Sequence, residues 1–328
     1  MGKDIHQKVM NVESSKSIQS KTTNYNLTAN IAGEAGCENV SFRDICAVVV
    51  VYFPDDNFMA RINRIIEQTG KAVIVVNGYN QNHTELIDRL ANYLNVEIIL
   101  NNNNMGVATA LNQGVSWAQK NGFRWALLFD QDTIPFRSMT AELLSVYADF
   151  PCKEKVAIVG SNYFNDYNYL PKYRPLKNCM DCKWVQEKTV ITSGTLLKLN
   201  AFKVIGAFRD DFFIDLVDIE YCLRARTKGY YIVFACKPIM VHRLGNPEEH
   251  RLLWRKTGTT NHSAQRRYYM MRNNILTAKK YFLIDPIWVI KSLYSRFKAI
   301  ILMLLFEQNK LIKFRRTILG LWHGICGK

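Results

Sequence analysis

Short apolar, β-branched runs alternate with amphipathic stretches through the first half of the chain. Runs of this composition that end at turn residues predict buried strands, and apolar residues at helical spacing predict helices. The predicted strands cover residues 47–53, 72–76, 96–100 and 123–129, and the predicted helices cover residues 58–69, 83–94 and 107–121. Because such alternation is typical of a parallel sheet with right-handed crossovers, we expect an α/β fold of the Rossmann-like, nucleotide-binding kind.

The second half of the chain is less regular. Apolar runs predict further strands over residues 156–160, 189–192 and 230–235. An acidic cluster, 210–220, leads into a predicted helix over 221–228, and His242 follows one more short apolar segment. Ser193 and Gly194 predict a turn, which either faces a ligand or only reverses the chain.

Two carboxylates follow the fourth predicted strand, in Asp130-Gln131-Asp132. Residues i and i+2 of an extended segment point the same way, so both side chains can face one target at the carboxyl edge of the sheet, where ligands of open α/β sheets bind. Two like charges this close favour a cation between them, and oxygen ligands suit Mg²⁺ or Mn²⁺. An acidic turn without a metal is the alternative.

The sequence contains neither of the two common glycine-rich phosphate loops. A G-x-G-x-x-G motif does not follow the first strand, which argues against a dinucleotide cofactor, and G-x-x-x-x-G-K-[ST] is absent. A nucleotide-binding fold without these loops needs another way to neutralise a diphosphate. A divalent metal at Asp130 and Asp132 meets that need.

The chain is strongly basic, with 43 Lys and Arg against 28 Asp and Glu and a net charge of +15. A basic excess favours anionic partners, namely nucleic acid, a phosphorylated substrate or an anionic membrane face. Among the cysteines, Cys179 and Cys182 form a C-x-x-C pair. One such pair without a second is weak support for zinc, and we expect reduced thiols. Residues 1–43 are polar and lack a signal-peptide core, which predicts a disordered leader on a cytosolic protein.

Residues 284–306 are apolar, but charged residues interrupt them before any run reaches the ~18 residues that a spanning helix needs. Basic residues follow at 313–316. This pattern predicts an amphipathic segment at an anionic bilayer surface. Packing of these helices on the catalytic core or on a dimer partner is the alternative. One predicted helical face collects Ile287, Ile290, Leu293, Tyr294 and Phe297.

Seven short motifs together resemble a known enzyme family. In this order and spacing they are similar to the family 2 inverting glycosyltransferases, and most closely to the bacterial rhamnosyltransferases of cell-surface polysaccharide (O antigen) synthesis. The resemblance covers residues 46–281 and extends toward 327. The motifs occupy residues 51–54, 104–114, 127–132, 191–195, 213–220, 242–245 and 266–273.

The resemblance implies a GT-A fold, which is a Rossmann-like mixed sheet flanked by helices, and a divalent metal, Mg²⁺ or Mn²⁺. It implies that Asp132 binds the metal, that Asp130 assists it or holds the ribose, and that His242 is a further ligand. Asp218 matches the catalytic base and Asp215 is the second candidate, although acids at a helix start also stabilise the helix dipole. The expected division of the chain is a leader over 1–43, a catalytic domain over 44–282 and an amphipathic helical segment over 283–328.

The nucleotide-sugar site carries one departure from the family pattern. Relatives usually have Asp-Asn-Gly-Ser after the second strand, whereas this chain has Val76-Asn77-Gly78-Tyr79. The donor base, thymidine or uridine, is therefore less well defined than the donor class. The residues that we expect to bind the nucleotide sugar are Tyr52, Asn77, Asn104, Gly106, Asn112, Asp130, Gln131, Ser193, Gly194 and Arg272.

These observations together predict an inverting transfer of L-rhamnose from dTDP-L-rhamnose to a saccharide acceptor carried on a polyprenyl lipid. The expected location is the inner face of the cytoplasmic membrane, and oligomerisation stays open. A donor with a UDP-linked hexose is the first alternative. A basic nucleic-acid-binding protein, a nucleotidyltransferase and an inactive homologue are others, but the sequence has no recognised nucleic-acid motif.

Overall fold

The computed structural model describes residues 40–165, 182–242, 248–252 and 255–328. The predicted leader up to residue 39 and Cys179 of the C-x-x-C pair lie outside these ranges. The strands are β1 Ile45–Val51, β2 Lys71–Asn77, β3 Val96–Asn101, β4 Trp125–Asp130, β5 Ile134–Pro135, β6 Val156–Asn165, β7 Trp184–Gln186, β8 Thr195–Lys198, β9 Tyr231–His242, β10 Glu248–Leu252 and β11 Arg255–Thr259. The α-helices are α1 Phe58–Ile66, α2 Thr84–Ala91, α3 Val107–Lys120, α4 Met139–Asp149, α5 Leu199–Ile205, α6 Val217–Thr227, α7 Ala264–Tyr281, α8 Pro286–Phe306 and α9 Lys310–Cys326.

The central sheet of the described residues has the strand order β3-β2-β1-β4-β8-β6-β9-β5, with β7 paired to β9 beside this path. Strands β1 to β4 pair in parallel, as the sequence predicts. Strand β8 then runs antiparallel to both β4 and β6, and β6 pairs in parallel with β9. The sheet is therefore mixed, and the carboxyl ends of β1, β2 and β4 meet at one edge. Strands β10 and β11 form a separate antiparallel hairpin.

Strand β1 is buried on both faces, which explains its continuous apolar sequence. Val49 packs on one side of the sheet with Phe58 of α1, and Val48 packs on the other with Leu111 of α3. A methyl group on Gly114 of α3 would lie 2.3 Å from Val48 Cγ1. The missing side chain therefore lets α3 lie directly against β1.

The predicted strand over residues 189–192 is wrong. These residues have no strand conformation, and β8 begins at Thr195, after the Ser193–Gly194 turn. The apolar character of the segment arises from core packing, because Val190 is buried and lies against Gly160. A buried loop and a short buried strand have the same local composition, so periodicity does not separate them.

Two further predicted boundaries are corrected. The helix predicted over 221–228 begins four residues earlier, at Val217, so that Asp218 and Glu220 lie in its first turn. The strand predicted over 230–235 continues to His242, so the short apolar segment before His242 belongs to β9. The acidic residues are thus part of a helix, and His242 ends a central strand.

The C-terminal helices pack on one another. Helix α9 lies against α7, where Gly320 and Gly324 approach the backbone of Tyr268 and Arg272. Glu307, fully buried before α9, accepts hydrogen bonds from Arg267 and Lys313. Within the described residues, every helix is too short or too polar to cross a membrane.

Candidate active site

A cavity of about 730 Å³ opens at the carboxyl edge of β1, β2 and β4. This edge is where open α/β sheets bind their ligands. The predicted metal ligands, both candidate bases and six of the ten predicted nucleotide-binding residues line the cavity, and Asp130 counts in both the first and the last group. They are Asp130, Asp132, His242, Asp215, Asp218, Tyr52, Asn77, Asn104, Gly106 and Gln131.

Asp130, Asp132 and His242 form a cluster that is able to hold a metal ion. One ligand atom of each lies within 4.8 Å of the others. His242 Nε2 is 3.9 Å from Asp130 Oδ2, and His242 Nδ1 is 3.6 Å from Asp132 Oδ1. The strands bring these residues together from distant parts of the chain, because Asp130 ends β4 and His242 ends β9. Two carboxylates and an imidazole fit a divalent cation such as Mn²⁺.

Buried hydroxyl groups hold this cluster in place. Thr133 Oγ1 lies 2.9 Å from His242 Nδ1, and it also hydrogen-bonds to Ser193 Oγ. Ser193 Oγ in turn accepts a hydrogen bond from the backbone N–H of Asp130. The contact with Thr133 fixes the imidazole ring of His242 and directs Nε2 toward Asp130, as an outer-shell partner of a metal-binding histidine does.

The carboxyl group of Asp130 has an unusual affinity for protons. Desolvation within the cavity raises its pKa to about 6, although 42% of the side chain is still exposed, and the charges of Asp132 and Asp218 raise it further. The neighbouring His242 and Arg266 act in the opposite direction. Carboxylates that repel each other in this way are stabilised by a bound cation.

The backbone before α6 is held in a rare conformation. Phe213, Asp215 and Leu216 have φ angles of 53°, 67° and 61°, in the left-handed region that non-glycine residues seldom adopt. The amide of Asn273 in α7 donates to the backbone carbonyls of Phe212, Ile214 and Asp215. These hydrogen bonds offset the backbone strain and place both candidate bases in the cavity.

The two candidate bases have different partners. Asp215 forms a two-pronged ion pair with Arg266, with both N–O distances at 3.0 Å. Asp218 accepts backbone N–H bonds from Thr192 at 3.1 Å and Ile219 at 2.8 Å, and it has no ion pair with a described residue. Burial raises the pKa of Asp218, and the charge of Asp215 adds to the effect, against the backbone hydrogen bonds. Asp218 is therefore the better proton acceptor of the two.

Several residues that were predicted to bind the nucleotide form hydrogen bonds to other protein groups. The side-chain amide of Asn77 is buried and bonds to Asn104 Oδ1, Gly106 O and the N–H of Met105, so it shapes the loop before α3. Gln131 bonds to the backbone of residues 52 and 53. Four other residues support the wall of the cavity but do not line it in the described structure: Asn112, Ser193, Gly194 and Arg272.

Comparison with known proteins identifies the family. Residues 46–206 match the family described as Glycosyl transferase family 2. A curated relative, dTDP-rhamnosyl transferase RfbF of Shigella flexneri, is 29% identical over 298 residues, which cover 87% of this chain and 96% of the relative. Residues 46–206 of this chain are a glycosyl transferase family 2 domain. The predicted family and enzyme class are confirmed.

Two solved structures share the fold of this glycosyltransferase. TarS residues 1–349 from S. aureus has a TM-score of 0.55 and 12% identity, over 86% of this chain and 80% of that one. GalNAc-T7, solved with UDP, GalNAc and Mn²⁺, has a TM-score of 0.53 and 15% identity over 72% of this chain. The match spans 47% of GalNAc-T7, about half of that protein. The predicted GT-A fold is confirmed.

Sequence reasoning missed several residues of this glycosyltransferase's site. Thr133 follows the Asp130–Asp132 pair directly, and Arg266 and Asn273 lie in the motif over 266–273, so the motifs pointed to their neighbourhood. His262 and Arg296 also line the cavity, but they belong to no motif. From the sequence alone, Arg296 is only one of the charged residues that interrupt an apolar segment.

Proposed function

We propose that this glycosyltransferase transfers L-rhamnose from dTDP-L-rhamnose, with inversion, to a saccharide acceptor of surface-polysaccharide synthesis. The observation that carries the proposal is one cavity that contains both the Asp130–Asp132–His242 cluster and the carboxylate of Asp218, which has no ion pair with a described residue. A metal site for the leaving diphosphate and a base for the attacking hydroxyl together suit an inverting transfer. The donor is proposed from the named activity of the Shigella flexneri relative.

Asp130, Asp132 and His242 are the proposed metal ligands. They would hold a divalent ion, Mn²⁺ or Mg²⁺, which would supply positive charge to stabilise the departing nucleoside diphosphate. Thr133 keeps the imidazole of His242 oriented for this task. GalNAc-T7, which shares the fold, was solved with Mn²⁺ and UDP.

Asp218 is the proposed base. Its carboxylate accepts the proton of the acceptor hydroxyl while that oxygen forms a bond to the anomeric carbon of the donor. The bond between the anomeric carbon and the diphosphate oxygen breaks, and dTDP leaves from the opposite face. The raised pKa makes Asp218 a stronger base than an ordinary surface aspartate. Asp215 serves to hold Arg266.

The C-terminal helices provide a surface for a lipid bilayer. Large apolar side chains along α8 and α9 are exposed, including Tyr294 at 68%, Phe297 at 62% and Leu311 at 76%. Exposed patches of this extent mark interaction sites. Arg315 and Arg316 are exposed beside them, whereas Lys313, expected to face lipid, is buried against Glu307. We assign this surface to the anionic inner face of the cytoplasmic membrane.

A donor panel tests the proposed reaction. The purified enzyme is incubated with dTDP-L-rhamnose, UDP-glucose or UDP-galactose, each with Mn²⁺, Mg²⁺ or EDTA, and nucleoside diphosphate release is measured with lipid-linked saccharide extracts as acceptor. We expect release from dTDP-L-rhamnose that depends on both metal and acceptor, with inversion of the anomeric configuration. Asp132→Asn should abolish it. Turnover of a UDP-hexose alone contradicts the donor assignment, and full activity in EDTA contradicts the metal site.

A further inference from the structure

The wall of the cavity that comes from the C-terminal part of the chain is cationic. It contains His262, Arg266 and Arg296, with Thr260 and Met270 beside them. Arg266 is neutralised by Asp215, and Arg267, just behind this wall, is neutralised by Glu307. Burial lowers the pKa of His262 to about 4, so its imidazole is neutral at pH 7. Among the described residues of this wall, Arg296 is the cation that has no counter-ion.

Arg296 lies in an environment that disfavours its charge. Burial lowers the pKa of its guanidinium, and the charges of Arg267 and Arg266 add to this effect against that of Asp215. No described residue forms a hydrogen bond or ion pair with the guanidinium. An arginine remains charged even so, because its pKa lies far above 7. A partly buried cation without a counter-ion is costly for the protein alone, and an anionic ligand removes that cost.

The donor does not need this cation. Its diphosphate is accommodated by the proposed metal at Asp130, Asp132 and His242, which the ends of β4 and β9 provide. Arg296 comes from α8, a different wall of the same cavity. Arg296 is therefore available to a second anionic group, and the acceptor is the remaining source of such a group.

The position of Arg296 on helix α8 suggests the source of such an anion, because exposed apolar side chains lie next to it. Tyr294 and Phe297, the close neighbours of Arg296, are 68% and 62% exposed on the outside of the molecule. Arg296 faces the cavity from the same helical turn. If the apolar face of α8 lies on a bilayer, Arg296 is close to the depth of the lipid headgroups, where the phosphate of a lipid-linked saccharide lies.

We infer that Arg296 binds the phosphate or diphosphate that joins the acceptor saccharide to its lipid. The inference rests on the proposed function, and it identifies Arg296 as a specificity-determining residue for lipid-linked acceptors. A guanidinium forms two parallel hydrogen bonds to phosphate oxygens, a geometry that lysine does not reproduce.

Binding measurements without donor test this site. Isothermal titration calorimetry in EDTA, which leaves the metal cluster empty, compares farnesyl diphosphate, inorganic diphosphate and farnesol. We expect farnesyl diphosphate to bind and Arg296→Gln to weaken that binding by about tenfold or more, the value of a charge-assisted hydrogen bond. Arg296→Lys should retain part of the affinity. Lys298→Gln, an exposed charge on the same helix, is the matched control and should bind as the wild type does.

The outcomes separate this inference from the proposed function. An anion site is supported if Arg296→Gln loses affinity for both diphosphates and the wild type does not bind farnesol. Tighter binding of farnesyl diphosphate than of inorganic diphosphate shows that the lipid chain also contributes to binding. Equal binding by the wild type and Arg296→Gln overturns the inference, as does a variant that instead loses affinity for dTDP in Mn²⁺. Because rhamnose is absent from the assay, a wrong donor does not affect the result. Arg296→Gln should melt no lower than the wild type, because it removes a partly buried charge that has no counter-ion among the described residues.

Discussion

Single residues decide the chemistry of this site, and the two candidate bases show how far sequence reasoning reaches at that scale. Asp215 and Asp218 lie three positions apart in the same motif, and the sequence favoured Asp218 only by resemblance. Their difference depends on Arg266, which is 51 positions from Asp215 and neutralises it. No local pattern encodes such a partner, so the choice needed the tertiary structure.

The first prediction concerns these two carboxylates. Asp218→Asn should lower kcat by about 10²–10⁴-fold, because it removes the proton acceptor. Its dissociation constant for dTDP in Mn²⁺ should not change. Asp215→Asn should retain far more turnover, since it loses an ion pair but no proton acceptor. Steady-state kinetics and calorimetry measure both quantities, and an Asp218→Asn enzyme with wild-type kcat would falsify the assignment.

Thr133 is the residue on which the orientation of His242 depends. Replacing it by valine keeps its shape and removes the hydroxyl that contacts Nδ1. We expect Thr133→Val to weaken Mn²⁺ binding by about 10–100-fold, as the loss of an outer-shell partner does. Thr227→Val, at an exposed helix end, is the control. Calorimetric Mn²⁺ titrations that give equal affinities for the two variants rule out this role.

At the scale of elements, β1, β2 and β4 were predictable because their apolar runs are buried on both faces, whereas β3 is a partly exposed edge strand that was recognised by its apolar run alone. The turn over residues 213–216 was not, since it contains no glycine although three of the residues from Phe213 to Leu216 have positive φ. Asn273 imposes that conformation from another helix. The length of β9, and with it the position of His242, likewise depends on pairing with β6. Tertiary contacts override local propensity at these places.

Asn273 and its neighbour Asn274 allow a matched test of the turn. Both are buried in α7, but Asn274 donates to Ser292 Oγ, away from the turn. Each change to alanine should lower the free energy of unfolding by about 1–3 kcal/mol, the cost of leaving buried groups unsatisfied. Only Asn273→Ala should also lower kcat, because it releases the backbone that places Asp218. Denaturant unfolding and kinetics distinguish the two, and equal kcat values for both variants speak against this account.

At the scale of the whole molecule, a buried charge joins helix α6 to helix α7. Glu220 is fully buried in α6 and accepts hydrogen bonds from Arg224, Lys280 and Tyr281, of which the last two belong to α7. Burial raises the pKa of Glu220, but the hydrogen bond from Lys280 and the charges of Arg224 and Lys280 outweigh it, so the pKa lies below its ordinary value of 4.5. Glu220 is therefore charged in the folded protein.

This shift predicts how stability depends on pH. Because the pKa of Glu220 is lower in the folded than in the unfolded chain, its contribution is complete above pH 4.5 and is lost as pH falls through the folded pKa. Glu220→Gln should reduce the slope of the unfolding free energy in that acidic range. At pH 7 the variant should also be less stable by about 3 kcal/mol, since two cations lose their buried partner. Urea unfolding between pH 3 and 7 measures both, and parallel curves for the two proteins contradict the prediction.

The exposed face of α8 and α9 gives the last prediction, on the attachment of the molecule to membranes. Ile290 and Phe297 are 59% and 62% exposed, and burying each in a bilayer contributes about 1.5–3 kcal/mol. The double change Ile290→Ser with Phe297→Ser should therefore strongly reduce co-sedimentation with vesicles of phosphatidylglycerol and phosphatidylethanolamine. Leu94→Ser with Val204→Ser removes two exposed apolar side chains elsewhere and should bind vesicles as the wild type does.

The same variants separate a membrane from a second copy of the chain as the occupant of this face. If the face is a dimer interface, the wild type sediments as a dimer without lipid, and Ile290→Ser with Phe297→Ser makes it monomeric while vesicle binding stays low in both. If the face binds lipid, sedimentation without vesicles is the same for both proteins and only the vesicle-bound fraction falls. Arg315 and Arg316 add electrostatic attraction of about 1 kcal/mol each near an anionic surface, so binding should also weaken as salt rises. Binding to neutral vesicles that does not depend on salt would show that the basic residues do not contribute and that the apolar side chains alone account for membrane binding.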